Sequence, residues 1–145
     1  MTDKLAIASD HAGYKLKEAI KTHFADIEWL DLGTHSTDSV DYPDFGQAMG
    51  QAITDEKAPR GVLVCGSGIG ISIAANRFPA VRAALCTSPE MARLSRQHND
   101  ANVLALGERI IDKDTAFECV EAFLSTDFEG GRHAGRVSKL GKEVK

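Results

Sequence analysis

Apolar runs of two different periods take turns along the whole chain, and no other feature limits its possible folds as sharply. Residues 5–9 read as a strand, after which Leu16, Ala19, Ile20 and Phe24 recur at helical spacing among Lys15, Lys17, Glu18 and Lys21. A second strand is expected over 28–32, followed by a loop through Gly33 and Pro43, a helix over about 44–54 and an apolar strand over 61–65. The glycines after Cys65 lead into a further helix. A strand over 82–86 then precedes Ser88-Pro89-Glu90, where Ser can cap free N–H groups and Pro suits the first helical position, so a helix should run to about His98. Residues 103–106 read as strand, and Ala116, Phe117, Val120, Phe123 and Leu124 form one apolar helix stripe after Asp112.

Such alternation implies parallel strands joined by helical crossovers, with helices covering both faces of an open sheet. The expected fold is α/β: a single doubly wound, Rossmann-like, three-layer domain over residues 1–145. Its sheet should be mostly parallel with about five strands, and the charged segment 129–145 should form a C-terminal helical arm. A chain of 145 residues can bury a core without a metal or disulfide staple. Cys65, Cys86 and Cys119 are widely spaced, with no CxxC or zinc-ligand pattern, so reduced thiols and no metal are expected.

The net charge of -4 should repel nucleic-acid phosphates and anionic lipid at long range. No apolar run approaches the ~20 residues that cross a bilayer. Met1-Thr2-Asp3-Lys4 moves directly into a strand without a signal-peptide core. The reading excludes nucleic acid and membrane as partners and points to the cytoplasm.

In open parallel sheets ligands bind beyond the carboxyl ends of the strands, so the residues just after each strand are the first to inspect. Cys65-Gly66-Ser67-Gly68-Ile69-Gly70-Ile71-Ser72 is a glycine-rich turn between a buried strand and a helix. Its alternate glycines permit close backbone approach, and a helix start favours anionic oxygen or a thiolate. The plain alternative is a buried cysteine ending a strand beside a tight turn. A dinucleotide fingerprint would need glycine at Ile71, and a P-loop would need a GK[ST] ending. No nucleotide cofactor is therefore expected.

Asp10-His11-Ala12-Gly13 follows the first strand and should face the same rim, although Asp10 could be only a helix cap. Arg96-Gln97-His98-Asn99-Asp100 ends a helix, and His98 is either a proton shuttle or a dipole partner. Arg132 and Arg136 share a helix face and, with Arg109, could clamp a phosphate, or they could belong to a solvated basic tail.

In combination these runs resemble the type B ribose-5-phosphate isomerases, of the family that also holds the galactose-6-phosphate isomerase subunits. The resemblance rests on Ala8-Ser9-Asp10-His11-Ala12-Gly13, Asp41-Tyr42-Pro43, the Cys65 loop through Asn76, Leu94-Ser95-Arg96-Gln97-His98-Asn99, Leu106-Gly107-Glu108-Arg109 and Glu129-Gly130-Gly131-Arg132-His133. It implies interconversion of ribose 5-phosphate and ribulose 5-phosphate without a cofactor, in a homodimer or dimer of dimers whose sites are shared between subunits. By the same resemblance Cys65 is the base and His98 assists ring opening, with Asp10 and Ser67 also in the catalytic set. Asp10, His11, Tyr42 and Asn99 would bind the sugar, the backbone of Gly66, Ser67, Gly68, Ile69 and Gly70 would cradle the intermediate, and Arg109, Arg132 and Arg136 would hold the phosphate. Two other readings are a six-carbon sugar-phosphate isomerase and a non-catalytic sensor of a phosphorylated metabolite.

Overall fold

A computed structural model describes residues 4–142. Five strands, β1 (Lys4–Ser9), β2 (Glu28–Asp31), β3 (Arg60–Cys65), β4 (Ala83–Leu85) and β5 (Val103–Gly107), form one sheet in the order β2-β1-β3-β5-β4. Every pairing between them is parallel. A 3₁₀ turn (His11–Gly13) leads into α1 (Tyr14–His23), and α2 (Tyr42–Thr54), α3 (Ile69–Ala75), α4 (Pro89–Asn99), α5 (Lys113–Ser125) and α6 (Arg132–Leu140) follow. The α/β alternation expected from the sequence is the alternation observed. Helix α6 supplies the C-terminal arm, of which residues 143–145 lie outside the described part, as do residues 1–3.

Alternate residues of the central strands feed two cores, because successive strand side chains point to opposite faces. Ile7, Val62, Val64, Leu104 and Leu106 pack against Leu16 and Ile20 of α1 and against Val120 and Phe123 of α5. Ala6, Ala8, Leu63, Cys65 and Ala105 pack on the other face against Met49 and Ile53 of α2 and Ile71 of α3. Among the buried polar residues is Lys17, fully enclosed in α1. Its ammonium lies 2.7 Å from Asp31 at the end of β2, and Lys21 also donates to that carboxylate at 2.7 Å. This ion pair fastens the first helix to the edge strand.

Element ends differ from expectation by small, explicable amounts. Helix α2 begins at Tyr42 rather than at residue 44, since Pro43 is tolerated in a first turn and Asp44 N–H already bonds Asp41 C=O. Strand β4 covers three residues rather than five: Arg82 N–H is taken by the Asn102 side chain at 2.7 Å, which ends the ladder. The expected cap at Ser88 is present, its hydroxyl accepting from Met91 N–H at 3.2 Å. Among the described residues no helix is long and apolar enough to cross a membrane.

The chain runs from β1 to β2 on one side and then to β3 on the other, so the crossovers diverge between β1 and β3. A crevice opens at the carboxyl ends of strands where such a reversal occurs. Asp10 follows β1 at that point, and Cys65 ends β3.

Candidate active site

Strand β3 delivers Cys65 to the rim at 5% exposure, and its Sγ accepts a hydrogen bond from Gly68 N–H at 3.0 Å. The bend that aims this amide at the sulfur depends on Gly68, whose φ of 80° L-residues rarely adopt. A Cβ there would lie 2.5 Å from Leu85 Cδ1 and 2.9 Å from the Leu106 carbonyl carbon. Ser67 Oγ accepts from Ile69 N–H at 3.1 Å, and Ser72 Oγ donates to Ile69 C=O at 2.7 Å. Two amides of the expected cradle, those of Gly68 and Ile69, are thus engaged inside the loop.

Other expected residues gather around this loop. Asp10 Oδ1 accepts from Gly13 N–H at 3.1 Å, so Asp10 does serve as a cap. His11 Nδ1 accepts from Val40 N–H at 3.1 Å, which leaves Nε2 to carry the proton of the neutral ring. Tyr42 lays its half-exposed ring over Gly70, where any side chain would collide with it. Arg109 N–H bonds Gly66 C=O at 3.0 Å, and a Cβ on Gly66 would sit 3.2 Å from Arg109 Nη1. The turn that carries Arg109 is itself pinned, because Glu108 N–H bonds Cys65 C=O at 2.9 Å while Glu108 Oε1 accepts from Leu16 N–H at 2.7 Å.

His98, Asn99, Arg132 and Arg136 stand elsewhere. Helix α4 runs back from the carboxyl edge and ends at Asn99, and Asn102 C=O then bonds Gly61 N–H at 2.9 Å near the start of β3. Gly61 and Cys65 are separated by about 13 Å of extended strand. Within one chain, therefore, the expected residues fall into two groups at opposite ends of the sheet.

The second group contains two residues, Glu129 and His133, to which the sequence reading assigned no role. The imidazoles of His98 and His133 stack with centroids 4.5 Å apart and planes 18° apart. Glu129 Oε1 faces both Nε2 atoms, at 3.8 Å from His98 and 3.6 Å from His133. Burial, the neighbouring His98 ring and the charge of Arg132 hold His133 below the ordinary histidine value, against the pull of Glu129. The i, i+4 spacing of Glu129 and His133 was the available signal. By type, two imidazoles and a carboxylate within 4.8 Å of one another could hold a cation, but Arg132 and Arg136 set positive charge against that use.

The remaining thiols are unlike Cys65 in their surroundings. Burial and the neighbouring Cys119 push Cys86 up to about 12, and burial and Glu118 push Cys119 up to about 11. Both pack inside the α1–α5 core. Neither approaches the crevice.

Comparison with known proteins bears on this arrangement as a whole. Residues 5–140 match the family model described as Ribose/Galactose Isomerase. The ribose-5-phosphate isomerase B of Escherichia coli is 43% identical over 139 residues, covering 94% of this chain and 93% of that protein. A ribose 5-phosphate isomerase structure from Thermotoga maritima superposes with a TM-score of 0.94 at 50% identity, covering 97% of this chain and 99% of the other. The ribose-5-phosphate isomerase B of Mycoplasma genitalium, solved with bound ribulose 5-phosphate, superposes with a TM-score of 0.90 at 39% identity, covering 97% and 95%.

Proposed function

The chain belongs to the ribose/galactose isomerase family, and from that premise we propose that it interconverts ribose 5-phosphate and ribulose 5-phosphate. Supporting this substrate are the relatives named as ribose-5-phosphate isomerases and the bound ribulose 5-phosphate in one of their structures. The observation that carries the mechanism is the Cys65 sulfur at the sheet's reversal point, held 3.0 Å from a backbone N–H.

Isomerisation needs an open-chain sugar, removal of a proton from the carbon beside its carbonyl, and return of that proton to the neighbouring carbon. Cys65 acts as the base for that transfer between C1 and C2. Backbone donors of the glycine loop other than the engaged Gly68 and Ile69 amides, with the Ser67 hydroxyl, stabilise the negative oxygen of the enediolate, as preorganised donors do in other enzymes. Asp10, His11 and Tyr42 bind the sugar from the same rim, and Arg109 contributes positive charge beside Gly66. No net redox change occurs, since C2 is oxidised as C1 is reduced within one molecule.

His98 assists ring opening, Asn99 binds the sugar, and Arg132 with Arg136 holds the phosphate. These four residues belong to the far end of the sheet, so they serve the Cys65 crevice of a second copy. Favouring such pairing, Ile69 and Ile73 of α3 and Met91 and Leu94 of α4 are exposed apolar side chains on the helices that flank edge strand β4. An exposed stripe of that kind suits an interface between copies.

Cys65→Ala should leave the melting temperature nearly unchanged and lower kcat on ribose 5-phosphate by on the order of a thousand-fold. A folded variant with full turnover would eliminate Cys65 as the base. Comparing kcat/KM on ribose 5-phosphate and on a six-carbon sugar phosphate tests the substrate, and a higher value for the latter would overturn this choice.

A further inference from the structure

Resting on the ring-opening role proposed for His98, we infer that Glu129 and His133 are its positioning residues: the stack fixes the plane of the His98 ring, and the carboxylate fixes which nitrogen carries its proton. His98 stands at a helix end with 39% of its side chain exposed, a location where an imidazole would ordinarily rotate. Its neighbour is far better held. The His133 side chain is 10% exposed, in the first turn of α6, and its ring lies parallel to that of His98 at 4.5 Å. Stacking on a fixed partner removes much of the freedom about χ2.

The carboxylate has its own anchor. Glu129 N–H bonds Gln97 C=O at 3.1 Å, so the backbone of Glu129 is tied to the residue before His98 whatever its side chain does. From there Oε1 faces the Nε2 atoms of both rings at 3.6 and 3.8 Å, too long for a formed hydrogen bond but close enough to bias their protons. A negative oxygen beside Nε2 favours the tautomer with the proton there, leaving Nδ1 of His98 with the free lone pair.

A single preset tautomer suits ring opening. The C1 hydroxyl gives up its proton as C1=O forms and the C1–O4 bond breaks, and O4 takes up a proton, so no atom or charge is gained overall. A ring in the wrong tautomer or turned out of plane would offer a donor where an acceptor is required. Neither Glu129 nor His133 need touch the sugar for this.

Ribulose 5-phosphate has no such ring to open, because its O5 carries the phosphate and no other hydroxyl closes a furanose on C2. Exchange of its C1 proton with solvent therefore needs the base but not His98. The test compares wild type with Glu129→Gln, His133→Ala and His133→Phe, measuring kcat and KM on ribose 5-phosphate and deuterium uptake at C1 of ribulose 5-phosphate by NMR in heavy water. We expect kcat to fall at least 10-fold in Glu129→Gln and His133→Ala with KM within about twofold and deuterium uptake near the wild-type rate. His133→Phe, which keeps a flat face, should recover part of the loss. Wild-type kcat in the first two variants, or equal loss of turnover and deuterium uptake, would overturn the assignment. Failure of the underlying reading looks different: the unmodified protein would then show no turnover or no uptake.

Discussion

The Cys65 sulfur is nearly buried and accepts an amide hydrogen bond, whereas burial and neighbouring groups push the thiols of Cys86 and Cys119 up to about 12 and about 11, Cys86 despite a hydrogen bond with Ser95. Only the thiolate reacts with alkylating agents. Iodoacetamide added to the native protein near pH 8 should therefore leave Cys86 and Cys119 unmodified, as read by peptide mass spectrometry, and ribulose 5-phosphate should slow any modification of Cys65. Labelling of Cys86 or Cys119 first would contradict the environment assigned to them. Gly68 makes a second residue-level prediction: Gly68→Ala forces a side chain into φ 80° against Leu85 and Leu106, and should cost about 1–3 kcal/mol in thermal or urea denaturation. His133 makes a third. Burial, His98 and Arg132 hold it below its ordinary value, so the unfolded chain binds the proton more readily than the folded one. The stability tied to neutral His133 is present above about pH 6.5 and is lost as pH falls. Between pH 7 and 5 the unfolding free energy of His133→Gln should consequently fall less steeply than that of the unmodified protein.

At the scale of elements, the Lys17–Asp31 pair shows how one polar contact secures an edge strand. Burial alone would raise the Asp31 carboxyl, but hydrogen bonds from Lys17 and Lys21 win and hold it below the usual carboxylate range. Its stabilisation is complete above the unfolded value near 3.9 and disappears as pH falls through the lower folded value. Asp31→Asn leaves the buried Lys17 ammonium with only the half-exposed Glu18 carboxylate at 3.4 Å, so it should cost about 3 kcal/mol in urea denaturation at pH 7. A loss below a few tenths would show that Lys17 finds another partner. This contact was not legible in the sequence, where Lys17 reads as one of several solvent-facing lysines on an amphipathic helix. The helix and strand pattern itself was legible, since periodicity is local, and so was the Ser88 cap. What failed were features set by distant neighbours: Asn102 cutting β4 short, and Glu129 meeting His98 through a backbone bond to Gln97. The Cys65 loop could be found because strand, glycines and helix start adjoin in sequence. The histidine stack could not, since it joins α4 to α6.

For the whole molecule, the parallel sheet sets one group of functional candidates at the carboxyl rim and the other at the amino end, and the proposed reaction requires both. A second copy docked along the β4 side would supply the missing group. Ile73 and Leu94, 58% and 38% exposed, are expected in that contact. Ile73→Lys should shift the protein toward monomer in sedimentation velocity and lower activity in parallel, while a fully active monomer would rule out a shared site. The most direct measurement mixes two inactive variants, Cys65→Ala and His98→Ala, after dissociation and reassociation. In a mixed dimer one crevice regains both Cys65 and His98 and the other loses both. Random reassociation makes half the dimers mixed, so about a quarter of wild-type turnover should return. A mixture no more active than its separate components would contradict a site that takes its base from one subunit and its imidazole from the other.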